Sequence, residues 1–264
     1  MKERSRPRPP LIVFFISAMV LILLYLPLLV VWVNSLLENV DARWILSLRW
    51  YREVFSDSEL MAAMERSLLV GLSASFFATI LGTGAAIAVS KEYNRFRLRH
   101  GLEIMSFISL IIPELVFALS LLMWFFILKI PLGLGTVITA HTTFCLSFVM
   151  LTVGARVSAL DPALEDAARD LGASEFRILF KVTLPLLLPA IVAAFVLCFL
   201  LSFDDFLITF YTNGVGSDTL PMRLYGAIKM GITPKLSAMS TIMFLFTVGP
   251  ILLIFKGRAL RDLV

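Results

Sequence analysis

Charge is scarce in this chain. Asp, Glu, Lys and Arg make up 16% of its 264 residues, against about 25% in soluble domains. Histidine and cysteine each occur only twice. Cys145 and Cys198 lie in apolar runs without metal-ligand spacing, so they read as small core side chains. That excludes a secreted disulfide scaffold, and no metal site is expected. The sequence also lacks a Gly-x-x-x-x-Gly-Lys-Ser/Thr phosphate loop, a His-Glu-x-x-His zinc motif and a Gly-x-Ser-x-Gly nucleophile elbow. No catalytic set is expected, and ATP cannot be held here in a phosphate loop. The stretches of Phe read as core and lipid-facing side chains, not as a cofactor box.

Apolar residues are in excess, at 59% of the chain with a mean hydropathy of +0.92. One soluble core cannot bury that much, and exposed apolar patches on soluble proteins stay small. An ordinary soluble enzyme and a disordered regulator are both excluded. A membrane helix needs about 20 mostly apolar residues. Six runs qualify: Leu11 to Val33, Ser67 to Ser90, Ile104 to Leu128, Ile130 to Ala155, Val182 to Tyr211 and Leu236 to Phe255. The spacing therefore predicts an all-α integral membrane protein with six transmembrane helices in one domain, 1–264. No internal repeat and no separate soluble domain is evident. The first run exceeds the ~7–15 residues of a signal-peptide core and lacks a small-residue cleavage site, so it is expected to stay as a helix.

Basic residues set the orientation. Segments 1–10, 91–99, 156–181 and 256–261 carry 15 of the 23 lysines and arginines, and the other connections carry 8. By the positive-inside rule both termini face the cytoplasm. Arg66 is the weakest of these assignments, since it falls where a helix end is expected. On the outer side, 34–66 is long and polar, and its mix of apolar and charged residues predicts a short amphipathic helix. The 129–135 connection should be a tight turn.

One cytoplasmic segment, 156–185, carries most of the information. Asp161 suits an N-cap and Pro162 the first helical position, so a short helix should run to about Leu171. Gly172 then stands where a left-handed cap is needed. Ser174 can cap a second short helix bearing Glu175, Phe176, Leu179 and Phe180, and Pro185 and Pro189 precede the fifth span. A DNA-reading helix-turn-helix is disfavoured, because four basic residues face five acidic ones over 156–181 with no basic stripe. Small and apolar residues on a protruding loop point instead to a surface that docks on a protein.

This segment resembles the signature loop of ABC-importer permeases: Asp166-Ala167-Ala168, three residues, Gly172, nine residues, then Val182-Thr183-Leu184-Pro185. Asp replaces the usual Glu and Val the usual Ile. The resemblance implies a type I, MetI-like architecture, in which Asp166, Ala167, Ala168, Gly172, Glu175 and Pro185 belong to a loop that couples to a cytoplasmic ATPase. It also implies the partners: a second permease subunit in a heterodimer, two ATPase subunits that bind ATP and magnesium, an external substrate-binding protein, and the lipid bilayer of a bacterial inner membrane. No nucleic acid and no cofactor in this chain are expected. Further segments, RWYREVF at 49–55, PELVFALSLL at 113–122, HTTFCLSFVMLTV at 141–153 and LSFDDFLITFYTNG at 201–214, are similar to spermidine/putrescine permeases of the second type.

The few acids inside the spans agree with that resemblance on physical grounds. A carboxylate at the centre of a membrane helix costs about 2.5 kcal/mol or more. Glu114, in the middle of the third run, and Asp204 and Asp205, toward the outer end of the fifth, are nevertheless present without a basic residue deep in any span. Three such acids point to an aqueous cavity that meets a cation. Polyamines are chains of separated ammonium groups, and aromatic faces add cation–π contacts. The expected pathway residues are Trp50, Glu114, Ser202, Asp204 and Asp205, with Tyr211 a weaker aromatic. His141 is expected to be packed rather than a ligand. The alternatives are a permease for iron, amino acids or another small solute, and a self-sufficient channel or secondary transporter. The latter usually shows inverted repeats.

Overall fold

The computed structural model describes residues 11–40, 43–90, 104 and 110–261. The basic segments 1–10 and 91–99, on which the orientation partly rests, lie outside the described residues. Helix dominates, and the chain forms two compact units. Among the described residues, four helices are long and apolar enough to cross a membrane: Ile12–Leu36, Ser58–Val89, Leu134–Ser158 and Glu175–Asp204.

The first unit joins the chain up to Ser58 with 227–246. Helix α1 (Leu11–Leu36) is apolar on every side and exposed along nearly its whole length, as suits a lipid-facing or partner-facing helix. A small antiparallel hairpin follows, β1 (Leu37–Val40) and β2 (Arg43–Leu46), with Leu37 opposite Leu46. The outer segment was read as loop plus helix, so the hairpin is new. The expected short amphipathic helix is α2 (Arg49–Ser56), which buries Val54. The Ser35 and Tyr51 hydroxyls share a hydrogen bond of 2.8 Å and hold α2 against the end of α1. Lys235 pairs with Asp57 at 2.8 Å and Asn34 donates to Ser237 at 2.9 Å, fastening the start of the last helix into the same unit.

The second unit is Glu59–Gly226 with the chain from Thr247 on, so the last two helices are divided between the units. Helix α3 (Ser58–Ser90) begins nine residues before the apolar run, so Arg66 lies inside the helix rather than in the outer loop. Its Nε donates to the Asp218 carbonyl at 2.7 Å. Helix α4 (Glu114–Ile127) ends in a Schellman turn: Lys129 takes φ 55°, and Ile130 N–H reaches the Phe125 carbonyl at 2.9 Å. That makes the tight turn into α5 (Leu134–Ser158). Helices α6 (Ala163–Asp170) and α7 (Glu175–Ile178) form the 156–185 segment. One π turn, Leu179–Thr183, leads into α8 (Leu184–Asp204), followed by α9 (Leu207–Thr212), α10 (Leu220–Met230) and α11 (Pro234–Arg261).

Helices α3, α5 and α8 meet through small residues. Ala78, Ala86, Cys145, Val149, Ala194 and Cys198 form one buried cluster. A Cβ on Gly82 would lie 2.7 Å from Val149 Cβ, so glycine is what lets α3 approach α5. The two cysteines are free thiols, each donating weakly to the other's carbonyl at 3.5–3.6 Å. A second cluster, Ala118, Phe125, Ala140 and Ile208, joins α4, α5 and α9.

Two expected spans are interrupted. The third is not one continuous helix: the backbone leaves the helix at Ile112 and Pro113, and α4 starts afresh at Glu114. Proline restricts the residue before it and cannot donate to the preceding turn. Glu114 is therefore at a helix N-terminus, not in the middle of a helix. The fifth span breaks at Asp205 and Phe206, between α8 and α9. In the other direction, α7 is not a separate loop helix. It runs through the π turn into α8, making one helix of 30 residues. Pro185 has no N–H for the carbonyl four residues back, and the ladder has already shifted, with Leu184 N–H bonding Leu179 O.

Candidate functional site

The two helix breaks face one cavity of about 390 Å³. Glu114 enters from the start of α4 and Phe144 from α5. Leu200, Leu201 and Asp204 come from the end of α8, Asp205 and Phe206 from the break, and Leu207 from the start of α9. The three acids singled out in the sequence thus converge, although they come from segments about 90 residues apart. Among the described residues, no basic side chain lines the cavity. Its apolar walls and few convergent polar groups suit a small-molecule site.

The paired aspartates are not equivalent. Asp204 is exposed, while Asp205 is only 8% exposed. The helix ends between them, so their side chains leave in different directions. Asp205 caps α9: its carboxylate accepts the Ile208 N–H at 3.3 Å and the Thr209 N–H at 2.9 Å, and the Thr209 hydroxyl adds a bond at 3.2 Å. These bonds satisfy donors that the break leaves orphaned.

Asp205 also has a basic neighbour, against the expectation that the buried acids lack one. His141 Nε2 lies 3.2 Å from its carboxylate and 3.0 Å from the Thr209 hydroxyl. The other ring nitrogen, Nδ1, shares a hydrogen bond of 2.7 Å with Ser202. His141 is 1% exposed. It is packed, as expected, but in a polar network rather than against apolar side chains. Ser202 is 5% exposed and faces His141, and it does not line the cavity. Residue-level reading missed His141 and Thr209. The only signal was that 141–153 and 201–214 were both family-like, and nothing in that links their side chains.

The aromatic candidates fall elsewhere. Trp50 is on α2 in the first unit, where its Nε1 donates to the Leu37 carbonyl at 2.9 Å. The Arg49 guanidinium lies 5.3 Å from its ring centroid, so one face already meets a cation. Arg49 also bridges Glu38 and Glu53 at 2.7 and 2.8 Å. The hydrogen bond from Arg49 holds the Glu38 carboxyl below its ordinary pKa. Tyr211 packs on the α4–α5–α9 cluster and is not among the cavity's lining residues.

The 156–185 segment folds as its caps dictate. Asp161 accepts the Ala163 N–H at 3.0 Å and starts α6. Gly172 takes φ 78°, with its N–H on the Arg169 carbonyl at 2.8 Å and Ala173 N–H on Ala168 at 3.0 Å. This is the left-handed cap expected there. Ser174 stands at the N-cap of α7, but its side chain makes no capping bond. Asp166 and Glu175, both exposed, are joined by Arg169, at 2.7 and 2.6 Å. Glu175, first through its hydrogen bond and then through its charge, raises the pKa of the Arg169 guanidinium, which stays charged. Arg169 was not singled out in the sequence, yet it clasps the two helices across the glycine elbow. Around it the surface is apolar: Leu171 is 89% and Phe176 73% exposed, with the Phe176 and Phe180 rings 4.7 Å apart.

Comparison with known proteins agrees with these features. The family described as binding-protein-dependent transport system inner membrane component matches residues 78–262. The chain is 36% identical over 232 residues to the spermidine/putrescine transport system permease protein PotC of Haemophilus influenzae, covering 87% of this chain and 90% of that one. It is 36% identical over 229 residues to the putrescine transport system permease protein PotI of Escherichia coli, covering 83% and 80%. Among solved structures, a bacterial ABC transporter involved in the import of the acidic polysaccharide alginate superposes with a TM-score of 0.70 at 15% identity, covering 97% of this chain and 98% of that one. The inward-facing MetNI methionine ABC transporter superposes with a TM-score of 0.62 at 20% identity, covering 78% and 96%. At such identities the likeness is one of fold.

Proposed function

Because the chain belongs to the family of binding-protein-dependent transport system inner membrane components, we propose that it is a permease subunit of an ATP-driven importer whose cargo is a polyamine such as spermidine or putrescine. The observation that carries the cargo is the cavity lining: Glu114, Asp204 and Asp205, with no basic residue among the described ones. Ammonium groups would meet Asp204 and Glu114 in turn. The methylene stretches between them would lie on Leu200, Leu201 and Leu207, and Phe144 and Phe206 offer ring faces to the cations. The curated relatives named for spermidine and putrescine support the same choice.

The chain itself performs no bond chemistry in this reading. ATP and magnesium are held by two partner ATPase subunits, and a second permease subunit completes the pathway. An external binding protein delivers cargo. Both termini and the 156–185 segment face the cytoplasm, and the exposed Leu171 and Phe176 dock on an ATPase subunit. Closure of the ATPase pair favours one arrangement of the spans, and release favours the other. The cycle is thus a population shift driven by differential contacts. The test is radiolabelled spermidine and putrescine uptake into vesicles holding this chain with its partner subunits. Saturable uptake that requires ATP supports the reading. Uptake of another solute instead, or polyamine uptake by this chain alone without ATP, overturns it.

A further inference from the structure

Two neighbouring aspartates at one helix break call for a division of labour. Asp205 is buried and occupied: His141, Thr209, the free N–H groups of α9 and the Glu114 carboxyl all bond it. Asp204 faces outward at the cavity. The Ile208 and Thr209 donors lie within four residues of Asp205 and move with it when the break moves. His141 is different, since it belongs to α5. One turn further along that helix, Phe144 lines the cavity. Through Nδ1 His141 holds Ser202 in the last turn of α8, and through Nε2 it holds Asp205 and Thr209 on the far side of the break. One imidazole thus fixes α8, the break and α9 against α5.

We propose that His141 is a positioning residue for transport: it anchors Asp205 and keeps the α8–α9 break in register, so that Asp204 and Glu114 face the incoming cation across the cavity. Asp205 is then the anchor of the cavity wall, and Asp204 is the acid that meets cargo. His141 itself touches no substrate, because it lies behind Asp205 and does not line the cavity. This inference rests on the reading of the cavity as a cation path.

The experiment uses the whole complex in vesicles, with spermidine uptake measured as KM and maximal rate. His141→Gln places an amide N–H near the Nε2 position and keeps the bond to Asp205. His141→Asn reaches only the Nδ1 position and keeps Ser202. KM should stay within about two-fold in the Gln variant and rise about ten-fold in the Asn variant, with maximal rate little changed. On an Asp205→Asn background the same exchange should alter KM less than about two-fold, because the anchor is already lost. Equal KM values for Gln and Asn, or a full ten-fold rise on the Asp205→Asn background, overturn the assignment. Where His141→Asn fails to assemble, Thr209→Val replaces it, and an unchanged KM there overturns it too. A second readout is independent of cargo: labelling of Asp204→Cys by a quaternary-ammonium thiosulfonate. Its rate should match the unmodified chain with His141→Gln and change several-fold with His141→Asn. Absent polyamine uptake with that labelling split intact removes the proposed cargo and leaves His141 as the positioning residue. Normal uptake with no split in either readout removes His141 and leaves the cargo.

Discussion

Gly172 is the residue on which the elbow between α6 and α7 turns, and its replacement has a calculable effect. At φ 78° an L side chain pays for the left-handed backbone, about 1–2 kcal/mol. A Cβ there would meet nothing within 4 Å, so the cost is backbone strain alone and no repacking obscures it. The restoring force is the Arg169 clasp on Asp166 and Glu175. Ion pairs this exposed are screened by solvent and stabilise only weakly, so the clasp does not outweigh the strain. Gly172→Ala should therefore lower the population of the docked elbow about five- to thirty-fold. Asn enters the left-handed region more readily than Ala, so Gly172→Asn should fall between the two. The assay is ATP-driven uptake at saturating cargo, together with recovery of ATPase subunit on the purified chain, both normalised to membrane abundance. Uptake by Gly172→Ala within two-fold of the unmodified chain would refute the reasoning.

Six other substitutions, taken in three pairs, separate further roles. Asp204→Asn should raise the KM for spermidine without reducing membrane abundance, whereas Asp205→Asn, which weakens a buried cap, should lower thermal stability in detergent, by about 1 kcal/mol or more; equal behaviour of the two in both assays would contradict their separate placement. Arg169→Ala should weaken recovery of the ATPase subunit, and Arg169→Lys should restore it only in part, since one ammonium cannot reproduce the guanidinium's grip on Glu175 through Nε and Nη2. Gly214→Ala would set a Cβ 2.1 Å from the Leu132 carbonyl oxygen, so it should lower the melting temperature and abundance sharply, while Gly133→Ala, which meets nothing, should not.

What the sequence made legible was local. Asp161, Pro162 and Gly172 each carry their own backbone instruction, and α6 and its left-handed cap follow from them. The apolar runs fall on helices, but α3 starts nine residues before its run, and the Glu175–Asp204 helix starts and stops seven residues before its own. What it hid depended on partners distant along the chain. His141 and Asp205 are 64 positions apart, and nothing in either neighbourhood announces the bond between them. The unequal exposure of Asp204 and Asp205 follows from where α8 stops, which hydropathy does not register. The π turn was obscured for a similar reason: Pro185 reads as the start of a span, but the helix had already begun at Glu175 and only changed its ladder. The hairpin at 37–46 was masked by a segment whose composition fitted an exposed loop equally well.

The helix breaks also make physical sense as a pair. In the hydrocarbon region irregular backbone persists only where it is buried in protein or lines a wet cavity. Each break here leaves donors that must be met. At the first, the Pro113 carbonyl takes the N–H groups of Val116 and Phe117 at 2.9 and 3.1 Å. At the second, the Asp205 carboxylate takes those of Ile208 and Thr209. The acids thus accompany the interruptions rather than merely tolerating the membrane. Glu114 stands in the first turn of α4, where the positive end of the helix dipole favours a carboxylate. Asp205 performs the same office for α9. Both helix starts point their partial positive charge at the cavity side that holds an acid, which lowers the cost of keeping carboxylates there. Asp204 has no such support, because it closes the C-terminal end of α8, where a negative charge is disfavoured. Its charge is left for a cation to balance, and this is why cargo affinity should respond to Asp204 more than to either of the acids that the backbone already serves.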